Sequence, residues 1–151
     1  MINKIKPLLV PASLLVAVIA MAGSLYFSEV QLLVPCVLCW YQRLTIYPLV
    51  AVFLVSLFRN DEKVYDYAWP FLIVGIAISM YHNILYYAVN WGMRPDWSGP
   101  CVAGVSCTTR YIEWFGFVTI PLMSLLAHLF IAVCMLLLWK WNKAKGLTKT
   151  T

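Results

Sequence analysis

Four of the five cysteines fall into two closely spaced pairs, which are the first sign of chemistry in the chain. Cys36 and Cys39 form a Cys-x-x-Cys motif, and Cys101 and Cys107 enclose five residues. A disulfide across two intervening residues closes so small a loop that it adds little to the stability of a fold. Such short rings suit thiol–disulfide exchange better, because they open and close readily. A purely structural disulfide remains the alternative interpretation.

Two further uses of Cys-x-x-Cys fit the sequence less well. Covalent haem attachment needs a histidine directly after the second cysteine, and Trp40 occupies that position. Zinc could use all four cysteines, but the spacing of the second pair is unusual for a zinc site. We therefore predict catalytic roles for Cys36, Cys39, Cys101 and Cys107, and no metal site.

An arginine follows the first pair at helical spacing. Arg43 is four residues after Cys39, so the two side chains share one face of a helix that begins near Cys39. The N-terminus of a helix and a neighbouring cation both stabilise a thiolate. We predict that Cys39 is this thiolate and that Arg43 has a functional role, because a charge inside a membrane span is costly. The alternative is an arginine that only extends to the lipid headgroups.

The elements that must position these residues are membrane helices. The 151-residue chain is 63% hydrophobic and 11% charged, whereas soluble domains carry about 25% charged residues. Several nearly uncharged stretches reach the roughly 20 residues that cross the hydrocarbon core. We predict an all-α integral membrane protein with a single membrane domain, residues 1–151, folded as an antiparallel four-helix transmembrane bundle. The predicted spans are residues 8–27, 39–58, 69–89 and 116–139.

The basic residues predict the direction of the spans. Four spans place both termini and the 59–68 loop on one side, with Lys4, Lys6, Arg59, Lys63, Lys140, Lys143, Lys145 and Lys149. Positive residues stay cytoplasmic, so both termini are predicted to be cytoplasmic and the loops at 28–38 and 90–115 extracytoplasmic. Both cysteine pairs then face the oxidising compartment. No nucleic-acid partner is expected, because no basic face is present.

Three further side chains have positions inside the predicted spans. His82 lies about 20 Å along the third span, at a depth similar to that of Arg43, and both can donate hydrogen bonds to a planar molecule with two carbonyl oxygens. We predict that Arg43 and His82 bind a cofactor; a satisfied interhelical histidine is the alternative for His82. For His128, deeper in the bundle, we expect the interhelical role. Cys134 is expected to be a small buried hydrophobe.

These residues resemble a known family. The chain resembles the bacterial disulfide bond formation protein B (DsbB) family in four features. These are the sequence "CVLCWYQR" (Cys36–Arg43), four spans with both ends inside, a second cysteine pair in the outer loop, and the sequence "FGFVTIPLMSL" (Phe115–Leu125). The likeness is closest to its BdbC-type members and covers essentially the whole chain. Cys101 and Cys107 are six positions apart, whereas the Gram-negative type has a much longer loop there.

The resemblance implies a thiol:quinone oxidoreductase in the bacterial cell membrane that supports disulfide bond formation in exported proteins. It implies a thioredoxin-like thiol:disulfide oxidase (DsbA- or BdbD-like) as partner and a membrane quinone, ubiquinone or menaquinone, as cofactor near Arg43 and His82. In the expected route the partner attacks the Cys101–Cys107 disulfide, Cys107 attacks Cys36, and Cys39 leaves and passes electrons to the quinone.

Two other classes of protein stay open. A four-span scaffold protein with two inert outer disulfides would keep both cysteine pairs oxidised. An enzyme similar to vitamin K epoxide reductase would use related quinone chemistry on a four-helix bundle, but its dithiol is expected late in the chain rather than at the second span. Mixing the protein with a dithiol and a quinone separates the scaffold from the two enzymes.

Overall fold

The computed structural model describes residues 6–61, 63–92 and 119–144, and these form a helical bundle without strands. Its helices are α1 (Lys6–Leu25), α2 (Val37–Arg59), α3 (Val64–Asn90) and α4 (Ile120–Ala144), and α1 continues as a π-helical segment, Tyr26–Val30. The four helices are long and apolar enough to cross a membrane. The predicted fold class is therefore confirmed, while the side on which the termini lie stays a prediction.

The helix ends follow from local chemistry. Cys36 has an extended backbone and its sulfur accepts a hydrogen bond from the Cys39 N–H, so Cys36 caps the N-terminus of α2. At the other end Asn60 adopts the left-handed conformation, with φ 51°, and its N–H bonds back to the Leu57 carbonyl. Asparagine tolerates this conformation better than most residues do. Gly92, with φ 85°, follows the end of α3, where only glycine adopts such a backbone without strain.

The helices pack in a ring in which α1 and α3 each contact α2 and α4. Fully buried apolar side chains fill the centre: Leu49, Phe53, Leu72, Ile131 and Met135. Large apolar side chains also cover the outside of the bundle, including Leu15, Phe58, Ile73, Ile84, Leu126 and Val133. An apolar exterior of this extent is what a lipid-facing surface requires.

Polar side chains connect the helices inside the bundle. His128 Nε2 lies 3.0 Å from Thr45 Oγ1, which links α4 to α2, and His128 Nδ1 donates to the Ser124 carbonyl at 2.8 Å. Asn83 on α3 donates to the Pro121 carbonyl at the start of α4, at 2.9 Å. His128 therefore makes the interhelical contact that we expected of it. Such hydrogen bonds hold helices together where lipid removes the hydrophobic driving force.

The close passage of α3 past His128 gives a prediction about stability. A Cβ atom on Gly75 would overlap the His128 ring and would lie 3.0 Å from Thr45 Oγ1. Gly75→Ala should therefore destabilise the bundle by about 1–3 kcal/mol, the usual effect of overpacking. In the matched control Gly23→Ala, the added Cβ has nothing within 4 Å, so stability should stay equal or rise slightly.

Thermal unfolding in detergent measures the difference between the two alanine variants. The double variant Gly75→Ala/His128→Ala removes the obstructing ring and should recover part of the lost stability. Equal unfolding midpoints for Gly75→Ala and Gly23→Ala would contradict the packing of α3 against His128.

Candidate active site

The Cys-x-x-Cys pair opens α2, with its two sulfurs close together. Cys36 Sγ and Cys39 Sγ are 3.1 Å apart, and Cys36 Sγ also accepts from the Cys39 N–H at 3.4 Å. A disulfide bond is about 2.05 Å long, so closing the pair needs a movement of only about 1 Å. Cys36 packs with Leu85 of α3, which keeps the pair largely out of water. The local helix start thus holds a dithiol ready to interconvert with a disulfide.

His82 of α3 faces this dithiol. Its Nε2 lies 3.9 Å from Cys36 Sγ, and its Nδ1 lies 3.2 Å from Gln42 Nε2. An amide nitrogen only donates, so Nδ1 accepts and the ring proton resides on Nε2, toward the sulfur. His82 is buried, with 1% of its surface exposed, and this fixes the ring in place. His82 thus presents an N–H to Cys36 from across the helix interface.

The electrostatics of the pair favour Cys36 as the thiolate. The pKa of Cys36 is lowered, first because the Cys39 thiol donates to its sulfur; burial acts in the opposite direction, and His82 and the Cys39 N–H lower the pKa further. We expected the thiolate on Cys39. The Cys39 backbone N–H donates to Cys36 Sγ because α2 begins at Val37, so the helix start also favours charge on Cys36, whereas the role of Cys39 as the thiolate stays a prediction.

This arrangement predicts how the reactivity of Cys36 depends on pH. In the reduced protein, the alkylation rate at Cys36 should stay high as the pH falls well below 8.5, the ordinary pKa of a thiol, because the thiolate is the nucleophile. Cys39→Ala removes the thiol donor and should shift the alkylation profile toward higher pH, whereas Cys39→Ser keeps an O–H donor and should shift it less. Mass spectrometry of the Cys36 peptide measures the rate, and identical profiles for the two variants would contradict the hydrogen-bond assignment.

Arg43 lies one turn further along α2. Its Nη2 donates to the Ser24 carbonyl near the end of α1 at 3.0 Å, and its guanidinium lies 5.1 Å from the centre of the Trp40 ring. Arg43 Nε is shielded from solvent and has no hydrogen-bond partner among the described residues. A buried N–H without an acceptor is costly, so this donor is available to a bound molecule. Arg43 both ties α1 to α2 and presents an unused donor.

The dithiol, Arg43 and His82 line one cavity of about 560 Å³. This volume falls within the range of about 300–1,000 Å³ that is usual for small-molecule sites. The remaining wall is largely apolar and comes mainly from α1 and α4, with Ile19, Ala20, Leu126, Ala127 and Phe130 among its residues. The cavity can therefore hold a mainly apolar molecule with a few polar atoms that meet the polar groups at the start of α2.

Known proteins are similar to this chain over most of its length. The family model for disulfide bond formation protein DsbB matches residues 6–139. The chain is 46% identical over 129 residues to Disulfide bond formation protein C of Bacillus subtilis (strain 168), which covers 84% of this chain and 89% of that protein. The chain belongs to the DsbB family. It is also 42% identical over 126 residues to Probable disulfide formation protein C of Halalkalibacterium halodurans, covering 83% and 89% of the two chains. No solved structure matches the chain significantly.

Membership of the DsbB family indicates a role in disulfide bond formation and therefore an oxidoreductase. The relatives carry names that state this role. In this DsbB-family chain the four candidate spans make it a multi-pass membrane protein. The resemblance inferred from the sequence motifs is thereby confirmed.

The structure brings together four of the six predicted site residues of this DsbB-family protein. Cys36, Cys39, Arg43 and His82 share the cavity, while Cys101 and Cys107 lie outside the described residues. Sequence reasoning missed Gln42, which fixes the tautomer of His82. A polar side chain in an otherwise apolar span, three residues after Cys39, was the signal that could have revealed it.

Cys134 lies apart from this group. It is 5% exposed and packs in the apolar core near Ser13 of α1. Burial raises the cost of a thiolate in such surroundings, which suits the expected role of a small buried hydrophobe. Cys134 therefore provides a matched control for substitutions of the dithiol.

Proposed function

We propose that this protein is a thiol:quinone oxidoreductase that reoxidises a thioredoxin-like thiol oxidase and thereby supports disulfide bond formation in exported proteins. The observation that carries the proposal is the dithiol opening into a largely apolar cavity beside a buried arginine donor. An inert scaffold has no use for a cavity at its disulfide. The proposed cofactor is a membrane quinone, ubiquinone or menaquinone, as the family resemblance implies.

The residues of the cavity fit a quinone. A quinone presents two carbonyl oxygens on an apolar ring and carries an apolar tail. The Arg43 guanidinium has donors for a carbonyl oxygen, and its Nε has no other acceptor among the described residues. The apolar wall from α1 and α4 suits the ring and tail. His82 is proposed as the second polar group, placed beside Cys36.

The chemistry of the pair follows from the hydrogen bonds. When bound, the quinone accepts two electrons and two protons. Cys36, as the thiolate, and Cys39, as the thiol, supply two electrons when their sulfurs bond to each other. The Cys39 thiol releases one proton in this step, and the second proton is the one that Cys36 released to water when it ionised. His82 holds a proton on Nε2 beside Cys36 Sγ, where it stabilises negative charge on this sulfur before closure. Burial beside Leu85 restricts water at the pair.

Electrons are proposed to reach this dithiol from the partner through Cys101 and Cys107. Each transfer is a thiol–disulfide exchange, in which an attacking thiolate opens a disulfide and releases a second thiolate. The stabilised Cys36 thiolate is the better leaving group of its pair, because hydrogen bonds favour its charge. With Cys36 as the leaving group, the incoming Cys107 thiolate attacks Cys39 Sγ; attack on Cys36 with departure of Cys39, the route expected from the sequence, stays the alternative.

We further propose that the dithiol end of the bundle faces the extracytoplasmic side. Arg59 at the end of α2, Lys63 before α3 and Lys143 in the last turn of α4 lie at the opposite helix ends. Basic residues at one end of a bundle mark the cytoplasmic side. A membrane-impermeant thiol reagent applied to intact cells should then label Leu32→Cys, an exposed position four residues before Cys36, and labelling only after cell lysis would contradict this orientation.

The overall activity is tested with purified protein in lipid nanodiscs, a reduced thioredoxin-like oxidase and a quinone under anaerobic conditions. The proposal predicts one quinone reduced for each disulfide formed in the partner. An unchanged partner and unchanged quinone absorbance would instead favour the scaffold.

A further inference from the structure

Three metal-ligating atoms converge at the start of α2. Cys36, Cys39 and His82 each offer one ligand atom, and these atoms all lie within 4.8 Å of one another. In contrast to the expectation from the sequence that there is no metal site, we propose that the reduced dithiol and His82 form a binding site for a thiophilic divalent cation of the zinc class. The proposal goes beyond the electron-transfer function and does not depend on which molecule accepts the electrons.

The spacing of the three atoms suits zinc. Zinc binds thiolates at about 2.3 Å and imidazole at about 2.0–2.1 Å in tetrahedral geometry, so neighbouring ligand atoms should be roughly 3.5–3.8 Å apart. Two separations in the structure, 3.1 Å between the sulfurs and 3.9 Å from Cys36 Sγ to His82 Nε2, lie on either side of this range. Small side-chain movements therefore bring all three atoms to bonding distance. The fourth position remains available to water, as in zinc sites with three protein ligands.

Gln42 provides the support that a histidine ligand needs. A metal on His82 Nε2 requires the ring proton on Nδ1, which then needs an acceptor. Gln42 contacts Nδ1 at 3.2 Å, and turning its carboxamide by half a rotation presents Oε1 in place of Nε2. The same side chain can therefore support His82 as a donor to the thiolate and as a metal ligand.

The site exists in one redox state only. A Cys36–Cys39 disulfide offers no thiolates, so the cation should bind the reduced protein and not the oxidised protein. A bound cation keeps both sulfurs as thiolates and prevents them from bonding to each other. The cation and any electron acceptor thus compete for the same dithiol.

Cobalt(II) serves as the spectroscopic probe. The background for all measurements, called the host, is the full-length protein with Cys101→Ser and Cys107→Ser, in which the second cysteine pair cannot bind cobalt. The reduced host should develop sulfur-to-cobalt charge-transfer absorption that zinc abolishes, and the oxidised host should not. His82→Gln should weaken cobalt binding about tenfold or more, since even the loss of residues that only support ligands costs about 10–100-fold. Cys134→Ala, a substitution remote from the dithiol, should leave the affinity unchanged.

Equal cobalt affinity with and without His82→Gln would show that the dithiol binds cobalt without His82. Absence of the charge-transfer absorption in the reduced protein would show that no cobalt binds to the dithiol. Either result overturns the proposal. Zinc X-ray absorption on the host keeps the test valid if His82→Gln does not fold. It should show two sulfurs at about 2.3 Å and at least one imidazole nitrogen at about 2.0 Å, and a first shell without imidazole overturns the proposal. If the protein binds the metal but does not reduce quinone, the metal site is supported and only the proposed electron acceptor is rejected.

Discussion

Replacing Cys36 or Cys39 by serine should remove more than about 90% of thiol-dependent quinone reduction, because residues that act as a covalent unit fail together. The two sulfurs are 3.1 Å apart and share a hydrogen bond, so neither can form the disulfide without the other. Serine keeps the size and hydrogen bonding of the side chain but cannot form the bond. The measurement is the rate of quinone absorbance change in nanodiscs with a dithiol as electron donor.

Cys134→Ala is the control for this pair of substitutions. Cys134 packs in the apolar core, so its removal should leave turnover nearly unchanged at matched expression. Turnover in Cys36→Ser or Cys39→Ser above about a tenth of the wild-type rate would show that the pair does not carry the electrons.

Substitution of Arg43 should have the second large effect. It should separate the two half-reactions, which are thiol–disulfide exchange with the partner and reduction of the quinone. Arg43→Ala removes the donors that the cavity offers to a carbonyl oxygen. A hydrogen bond to a charged group contributes about 1.5–3 kcal/mol, so the quinone KM should rise about 10–100-fold. Exchange between the partner and the Cys101–Cys107 pair should continue at the normal rate. Stopped-flow measurement of quinone reduction by pre-reduced protein, and trapping of the mixed disulfide with the partner, report the two steps separately.

Arg43→Lys tests whether charge alone suffices. Lysine keeps the positive charge but lacks the planar set of donors, so its quinone KM should lie between those of the wild type and Arg43→Ala. Arg43 also holds the Ser24 carbonyl, and thermal unfolding of both variants separates a loss of stability from a loss of quinone binding. If both half-reactions keep wild-type rates in Arg43→Ala, the side chain only anchors α1 to α2.

The fold could be predicted from the sequence because the bilayer imposes a simple rule on length and charge. A helix needs about 20 apolar residues to cross the hydrocarbon, and the chain supplies four such stretches. The placement of Cys39 and Arg43 on the same side of α2 could also be predicted, since residues four apart on a helix share a face. Both inferences depend only on local spacing, which the helix geometry determines.

The residue that caps α2 could not be predicted in the same way. We expected α2 to begin near Cys39, and it begins at Val37. This two-residue difference turns Cys36 into the capping residue and Cys39 into its donor. Helix ends are set by cap geometry that sequence patterns locate only within a few residues. A small error in the boundary therefore concealed that Cys36 accepts a hydrogen bond from the Cys39 N–H.

Contacts between distant segments also lay beyond the sequence. Gln42 and His82 are 40 residues apart, and their contact depends on how α3 is rotated about its own axis. Packing against the neighbouring helices sets this rotation, as it does for the passage of Gly75 beside His128. The π-helical segment after α1 had no recognisable signal either.

The central claim is that the Cys36–Cys39 dithiol itself reduces the quinone, and one single-turnover measurement tests it most directly. Full-length protein with Cys101→Ser and Cys107→Ser is reduced, freed of reductant and mixed anaerobically with a quinone, while quinone absorbance and the state of the cysteines are followed. We predict that one quinone is reduced for each Cys36–Cys39 disulfide that forms, with the same time course. Quinone that stays oxidised, or quinone reduced while Cys36 and Cys39 remain thiols, would contradict the claim.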